Sequence, residues 1–306
     1  MEKALKHTLL FLFLGLLLPS CNLALHQQKK VNRQFEKQGI QEHFYCANGD
    51  TLHYYEGGTG KTVLLIHGFG GDAQTTWEET IKDLSKDYHV IAPDLLWFGQ
   101  SNSTRSPNLA AQVAVISNLL NLKAVQSCSV VGISYGGFVT MGLFYAIPEK
   151  VDAMCIVDSP GITYDITLLD TLCKQENVTD VSDIFVVRSP NGVQKLFDLA
   201  FYKDRNIPKF ILNDIYEAYF NQHHDKLIEL LATLPNTQKE YLAQPKITFP
   251  KSLVIWGSND AVFPKSEGKR LAEFMHADYQ EIRNAGHGPN IEQHEIFEKV
   301  LRDFLN

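Results

Sequence analysis

Cysteine is scarce in this chain, five among 306 residues. That is too few to staple so long a sequence into a disulfide scaffold, and Cys46, Cys128, Cys155 and Cys173 lack the paired spacing of a zinc site. Cys128 and Cys155 read as buried thiols; any disulfide among the four is left unassigned. Positive charge is short as well. Lys and Arg number 28 against 35 Asp and Glu, a net charge of −7, which argues against a nucleic-acid partner. No internal repeat or low-complexity segment interrupts the chain. With 44% hydrophobic and 21% charged residues, it has the composition of a globular protein able to bury its own core.

A nucleotide site is also missing. Gly58-Thr59-Gly60-Lys61-Thr62 resembles the end of a P-loop, but Tyr55 stands where the first glycine belongs and the stretch precedes a strand. His223-His224-Asp225 does not make a metal site either, because adjacent residues on a helix diverge by about 100°. No cofactor and no metal are expected.

A membrane-spanning apolar run is lacking, yet the N-terminus carries an address. Lys3, Lys6 and His7 precede Leu9 to Leu18, ten apolar or Gly residues. Such a run spans only about 15 Å as a helix, half of a hydrocarbon core. A basic start, a short apolar run and a small-residue exit form a secretory signal. Leu18-Pro19-Ser20-Cys21 resembles a bacterial lipobox, with Pro19 as its departure. Residues 1–21 therefore read as a lipoprotein-type signal with Cys21 as the lipidated residue, placing the protein in the bacterial cell envelope, membrane-anchored; plain secretion is the alternative. Residues 22–41, rich in Gln, Lys and Asn, read as a tether or a loosely packed leader helix.

Beyond residue 41 the chain alternates. Thr62 to Ile66, Val90 to Ala92, Ser129 to Ile133, Met154 to Val157 and Leu253 to Trp256 are short, β-rich apolar runs. Runs without alternation fit strands buried on both faces, as in a parallel sheet. Helical stretches fall at Trp77 to Leu84, Leu109 to Leu122 and Phe138 to Tyr145, and strands interleaved with helices are the α/β signature. Ala47 to Tyr55 reads as a leading hairpin turning at Asn48-Gly49-Asp50. The strand–helix pattern stops between Pro160 and Thr248, where Phe197, Ala200, Phe201, Ile211, Ile215 and Tyr219 show helical spacing. The expected organisation is an α/β core over residues 42–159 and 247–306, with a helical cap over 160–246.

Chemistry concentrates at the ends of the runs. Gly132-Ile133-Ser134-Tyr135-Gly136 is G-x-S-x-G between a strand and a helix, a turn that lifts the Ser134 hydroxyl clear of the sheet. His67-Gly68-Phe69-Gly70-Gly71 follows another strand and can present the Phe69 N–H as an oxyanion donor beside the Tyr135 N–H. His67 itself ends a strand and reads as a structural histidine. Asn284-Ala285-Gly286-His287-Gly288-Pro289 puts a histidine in a loop free to reach across to a serine. Gly257-Ser258-Asn259-Asp260 follows Leu253 to Trp256, where a carboxylate can orient an imidazole. Asp158 is the rival acid.

With these motifs, and with Pro93-Asp94-Leu95-Leu96-Trp97-Phe98-Gly99-Gln100-Ser101, residues 42–306 resemble the α/β-hydrolase superfamily. Within it they are similar to bacterial lipases and esterases and to monoacylglycerol-lipase-like serine hydrolases. The resemblance implies a mostly parallel central sheet with helices on both faces and a cap inserted before the last strands. It implies catalytic Ser134, Asp260 and His287, in that chain order, cleaving carboxylic esters, acylglycerols or other lipid esters, through an acyl-enzyme on Ser134. The departure is Tyr135, where such lipases often carry Met or Gln. The same catalytic set would also serve a carbon–carbon bond hydrolase or a cofactor-free haloperoxidase. Haloalkane dehalogenase is disfavoured, since that chemistry places Asp where Ser134 stands. A non-catalytic envelope binding protein is the remaining reading.

Overall fold

The computed structural model describes residues 23–165, 167–245 and 247–306. The signal and lipidation readings, Cys21 included, lie outside the described residues. Among the described residues no helix is long and apolar enough to cross a membrane.

Nine strands form one sheet: β1 (Gln41–Ala47), β2 (Asp50–Gly57), β3 (Thr62–Ile66), β4 (His89–Pro93), β5 (Asn102–Ser103), β6 (Cys128–Ile133), β7 (Val151–Val157), β8 (Lys251–Gly257) and β9 (Asp278–Ile282). Their order is β1-β2-β4-β3-β6-β7-β8-β9, with β5 paired to β2. The pairs β1/β2, β2/β4 and β2/β5 are antiparallel; every pairing from β4 onward along the row is parallel. Asn48 and Gly49, both at positive φ, turn the β1–β2 hairpin.

The apolar runs form strands because both faces of the sheet are covered. Leu64, Val130, Met154, Ile156 and Val254 point into one core layer, while Val63, Leu65, Val131, Cys155 and Ile255 point into the other. Each such side chain contributes about 1.5–3 kcal/mol by leaving water. The first layer is closed by α3 (Leu109–Leu122), α4 (Tyr135–Ala146) and α10 (Lys265–Met275), through residues such as Leu119, Val139 and Leu271. The second is closed by α2 (Ala73–Leu84) and α12 (His294–Leu305), through Trp77, Ile81, Phe297 and Leu301. The four described cysteines are free thiols, Cys128 and Cys155 buried.

Of the two readings for residues 22–41, tether or loosely packed leader helix, the helix forms: α1 (Leu23–Lys37) docks on the core, with Val31 and Phe35 buried. These two residues lie one helical turn apart, so a single pair anchors the helix despite its polar composition. Phe35 meets the Tyr55 ring edge-on at 5.1 Å, and Tyr55 Oη donates to Asn32 Oδ1 at 2.9 Å.

Between β7 and β8 the chain runs through α5 (Thr167–Glu176), α6 (Ser182–Phe185), α7 (Pro190–Ala200), α8 (Lys209–Ile215), a π-turn at Tyr216–Phe220 and α9 (His224–Leu242). A separate apolar cluster of Val187, Val193, Leu212 and Phe220 holds α7 and α8 together. After β9 the chain makes the short α11 (Pro289–Glu292) before α12.

Candidate active site

Ser134 sits between the last residue of β6 and the first of α4, with φ 53° and ψ −121°. A non-glycine residue held there costs about 1–3 kcal/mol. The surroundings fix it: Ser134 N–H donates to the Val157 carbonyl at 2.8 Å. The flanking glycines answer a space requirement. A Cβ on Gly132 would strike the Gly136 carbonyl and the Thr140 hydroxyl, and one on Gly136 would strike the Ile66 and His67 carbonyls. Tyr135 opens α4, so its N–H has no helical carbonyl one turn behind it. Gly68 packs against the same hydroxyl-bearing turn: a Cβ there would lie 3.0 Å from Ser134 Cβ, which places Phe69 beside the serine.

The structure brings the three expected side chains together. His287 Nε2 lies 2.8 Å from Ser134 Oγ, and His287 Nδ1 lies 2.9 Å from Asp260 Oδ2. A carboxylate only accepts, so Nδ1 carries the proton and Nε2 is left to accept from the serine. Asp260 is itself aimed by its own loop, since Oδ1 accepts the N–H groups of Val262 at 2.8 Å and Phe263 at 3.1 Å. Its side chain is 1% exposed, that of His287 11%.

The rival acid is close by and differently engaged. Asp158 Oδ1 accepts the Gly257 N–H at 2.7 Å, while its other oxygen has no partner. Carboxylate oxygens of Asp158 and Asp260 and a ring nitrogen of His287 lie within 4.8 Å of one another. Burial, and then the neighbouring Asp260 carboxylate, push the Asp158 carboxyl well above the usual range. Three such groups can in principle hold a cation. Here both Asp260 oxygens already accept hydrogen bonds, and His287 Nδ1 is spent on one of them.

His67 has a structural engagement. Its Nδ1–H donates to the Gly68 carbonyl at 2.7 Å and its Nε2 accepts the Leu95 N–H at 2.8 Å. Burial pushes its pKa down, which keeps the ring neutral, as that pattern needs.

Sequence reasoning missed the network that braces the Phe69 turn. Asp94 Oδ2 accepts from His53 Nδ1 at 2.7 Å, and Asp94 Oδ1 accepts the Ala73 N–H at 2.9 Å, where α2 begins. Burial opposes charge on both. The mutual bond overrides it, holding Asp94 below and His53 above their ordinary pKa values. Asp94 belongs to the quoted Pro93–Ser101 stretch, but nothing near His53 in the chain marks it.

A cavity of about 350 Å³ opens at Ser134 and His287, walled by Leu196, Phe197, Phe201 and Ile215. A second, of about 50 Å³, also borders Ser134 and is bounded by Tyr135, Phe138, Tyr164 and Phe185. The Tyr135 side chain therefore bounds a pocket at the serine, and its hydroxyl is buried without a partner. A serine hydroxyl whose proton an imidazole can take, beside apolar cavities, can attack a carbonyl carried on an apolar chain.

Comparison with known proteins agrees in kind. The family model described as alpha/beta hydrolase fold matches residues 61–293. Lipase 1 of Psychrobacter immobilis is 31% identical and Lipase 3 of Moraxella sp. (strain TA144) 28% identical, each aligned over 87% of this chain and 84% of its own length. A 2-hydroxy-6-oxo-2,4-heptadienoate hydrolase of Pseudomonas putida is 24% identical over 85% of this chain and 94% of its own. Among solved structures, a membrane phospholipase A superposes with a TM-score of 0.78 at 25% identity, covering 100% of this chain and 98% of that one.

Proposed function

Because this chain belongs to the alpha/beta hydrolase fold family, we propose that it cleaves carboxylic esters of lipids, acylglycerols or similar molecules, with Ser134 as nucleophile, His287 as base and Asp260 as the acid that orients it. The observation that carries this reading is the continuous path Ser134 Oγ, His287 Nε2, His287 Nδ1, Asp260 Oδ2, with links of 2.8 and 2.9 Å, at the floor of an apolar cavity.

His287 removes the Ser134 proton as Oγ attacks the ester carbonyl. The Phe69 and Tyr135 N–H groups receive the oxyanion, a role worth about 10²–10³ in rate per donor in such sites. His287 then gives its proton to the departing alcohol, leaving an acyl-enzyme on Ser134. Water, deprotonated by the same imidazole, releases the acid and restores the serine. Asp260 stabilises the imidazolium formed in each half.

Fatty acid release from a monoacylglycerol should vanish in Ser134→Ala; undiminished release would refute the assignment. A second reading, carbon–carbon bond hydrolysis, is favoured by the Pseudomonas putida relative. It requires ester turnover to be feeble beside cleavage of a 2-hydroxy-6-oxo-dienoate. The envelope location is also proposed, through a lipid on Cys21: Cys21→Ala should move the protein from the membrane to the soluble fraction of a bacterial host, and an unchanged distribution would exclude that anchor.

A further inference from the structure

One carboxylate joins the helical segment to the histidine loop. Glu292, at the end of α11, accepts the Gly286 N–H through Oε2 at 2.6 Å. The same carboxylate accepts the Tyr202 N–H, at 3.1 and 3.2 Å to its two oxygens. Gly286 immediately precedes His287, and Tyr202 lies just past the end of α7. The two segments touch directly as well: the His287 N–H donates to the Ala200 carbonyl at 2.6 Å. That carbonyl ends α7 and has no partner further along the helix. The packing leaves no slack, since a Cβ on Gly286 would lie 2.5 Å from the Ala200 oxygen and 2.8 Å from the Tyr202 nitrogen. The same short stretch supplies Phe197, Ala200 and Phe201 to the cavity wall. Tyr202, which directly follows that stretch, and Gly286, which directly precedes His287, therefore share one carboxylate.

We propose that Glu292 is a positioning residue that couples occupancy of the cavity to the placement of His287. The inference rests on the reading of Ser134 and His287 as nucleophile and base. When α7 and its following turn lie down on the loop, Glu292 and the Ala200 carbonyl hold the Gly286–His287 backbone, and the imidazole faces Ser134. When they lift, those bonds part together. A long acyl chain packs against Phe197 and Phe201 and holds the stretch down by its own contacts. A short acyl group cannot, and depends on Glu292 to do so.

The test compares p-nitrophenyl acetate with p-nitrophenyl octanoate, reading kcat and KM separately in the full chain, in Glu292→Gln and in Glu292→Ala. Losing a charge-assisted bond of this kind is expected to cost about tenfold. Glu292→Ala should therefore lower kcat on acetate about tenfold more than kcat on octanoate, with Glu292→Gln, which keeps one acceptor oxygen, in between. Equal falls on both esters, or none, overturn the coupling. Amide hydrogen exchange gives a second arm that needs neither turnover nor the alanine variant. In Glu292→Gln the amides of Gly286, His287 and Tyr202 should lose protection together; loss at one side alone overturns the proposal. A wild-type chain inert towards both esters would refute the ester reading instead, and the exchange arm would still decide the coupling.

Discussion

The sheet and the helices inserted between β7 and β8 are built on different terms. In the sheet, Leu64, Val130, Ile156 and Val254 are all fully buried, and neighbouring residues feed two continuous cores. In the inserted segment, α9 buries Leu227, Leu230 and Leu234 against the first core, but α5 buries only Leu172, α7 only Val193 and α8 only Leu212, while Tyr202 and Phe210 stand 44% and 60% exposed. The groups proposed to react all belong to the first region: Ser134, Asp260 and His287 follow β6, β8 and β9. The cavity wall draws on both, with Ile133, Val262 and Ile291 from the first and Leu196, Phe197, Phe201 and Ile215 from the second. The 2.8 Å contact between Ser134 Oγ and His287 Nε2 joins the turn after β6 to the loop after β9. The sparsely buried α7 and α8 supply one side of a container that can yield to its contents.

The contrast can be broken at either end. The largest effect should come from the sheet-borne chemistry. Ser134→Ala and His287→Ala should each lower kcat by about 10⁴–10⁶, and the double variant should be no slower than the worse single one, because the two act as a unit. Additive losses would mean that they do not.

Next comes packing. Leu64→Ala should lose about 2–5 kcal/mol in urea unfolding. Phe197→Ala, half-buried on the cavity wall, should lose about 1 kcal/mol, yet raise KM for an octanoyl ester about tenfold while leaving an acetyl ester within about twofold. Equal stability losses at the two sites would erase the distinction between sheet and inserted helices.

The smallest effect lies at the carboxyl end of β7. The Asp158 carboxyl titrates near about 3.9 in an unfolded chain and well above its ordinary value in the fold. The folded state thus holds a proton that the unfolded chain releases, so this group makes stability fall as pH rises from about 4 up to its raised value. Asp158→Asn keeps the acceptor for Gly257 and removes the proton. Its stability should gain on the wild type as pH rises from about 4 to 8 in parallel chemical melts. A pH-independent difference would show that Asp158 shares the charge of its neighbour.

Much of this was legible in the chain because the informative residues are close together in it. Runs such as Thr62 to Ile66 announce strands buried on both faces, and β3 has those bounds. The motif around Ser134 is compact because a strand, a turn and a helix must succeed one another within a few residues. The edge strand β9, Asp-Tyr-Gln-Glu-Ile, gave no such sign, since only Ile282 of it is buried. The docking of α1 was hidden because two apolar residues in a polar helix look like noise until Tyr55 is placed beside them. The brace of His53 on Asp94 and the clamp of Glu292 on Tyr202 join residues 41 and 90 positions apart. Those links are hydrogen bonds made by the fold, and no local pattern of residue types encodes them.

If His287 makes the Ser134 hydroxyl a nucleophile, that hydroxyl reacts with electrophilic phosphorus. The direct measurement is peptide mass spectrometry after brief exposure to a fluorophosphonate. One adduct per chain is expected, on Ser134, with labelling at least about 10³-fold slower in His287→Ala. An unlabelled Ser134 in the folded wild type, or equal labelling without the imidazole, would contradict it.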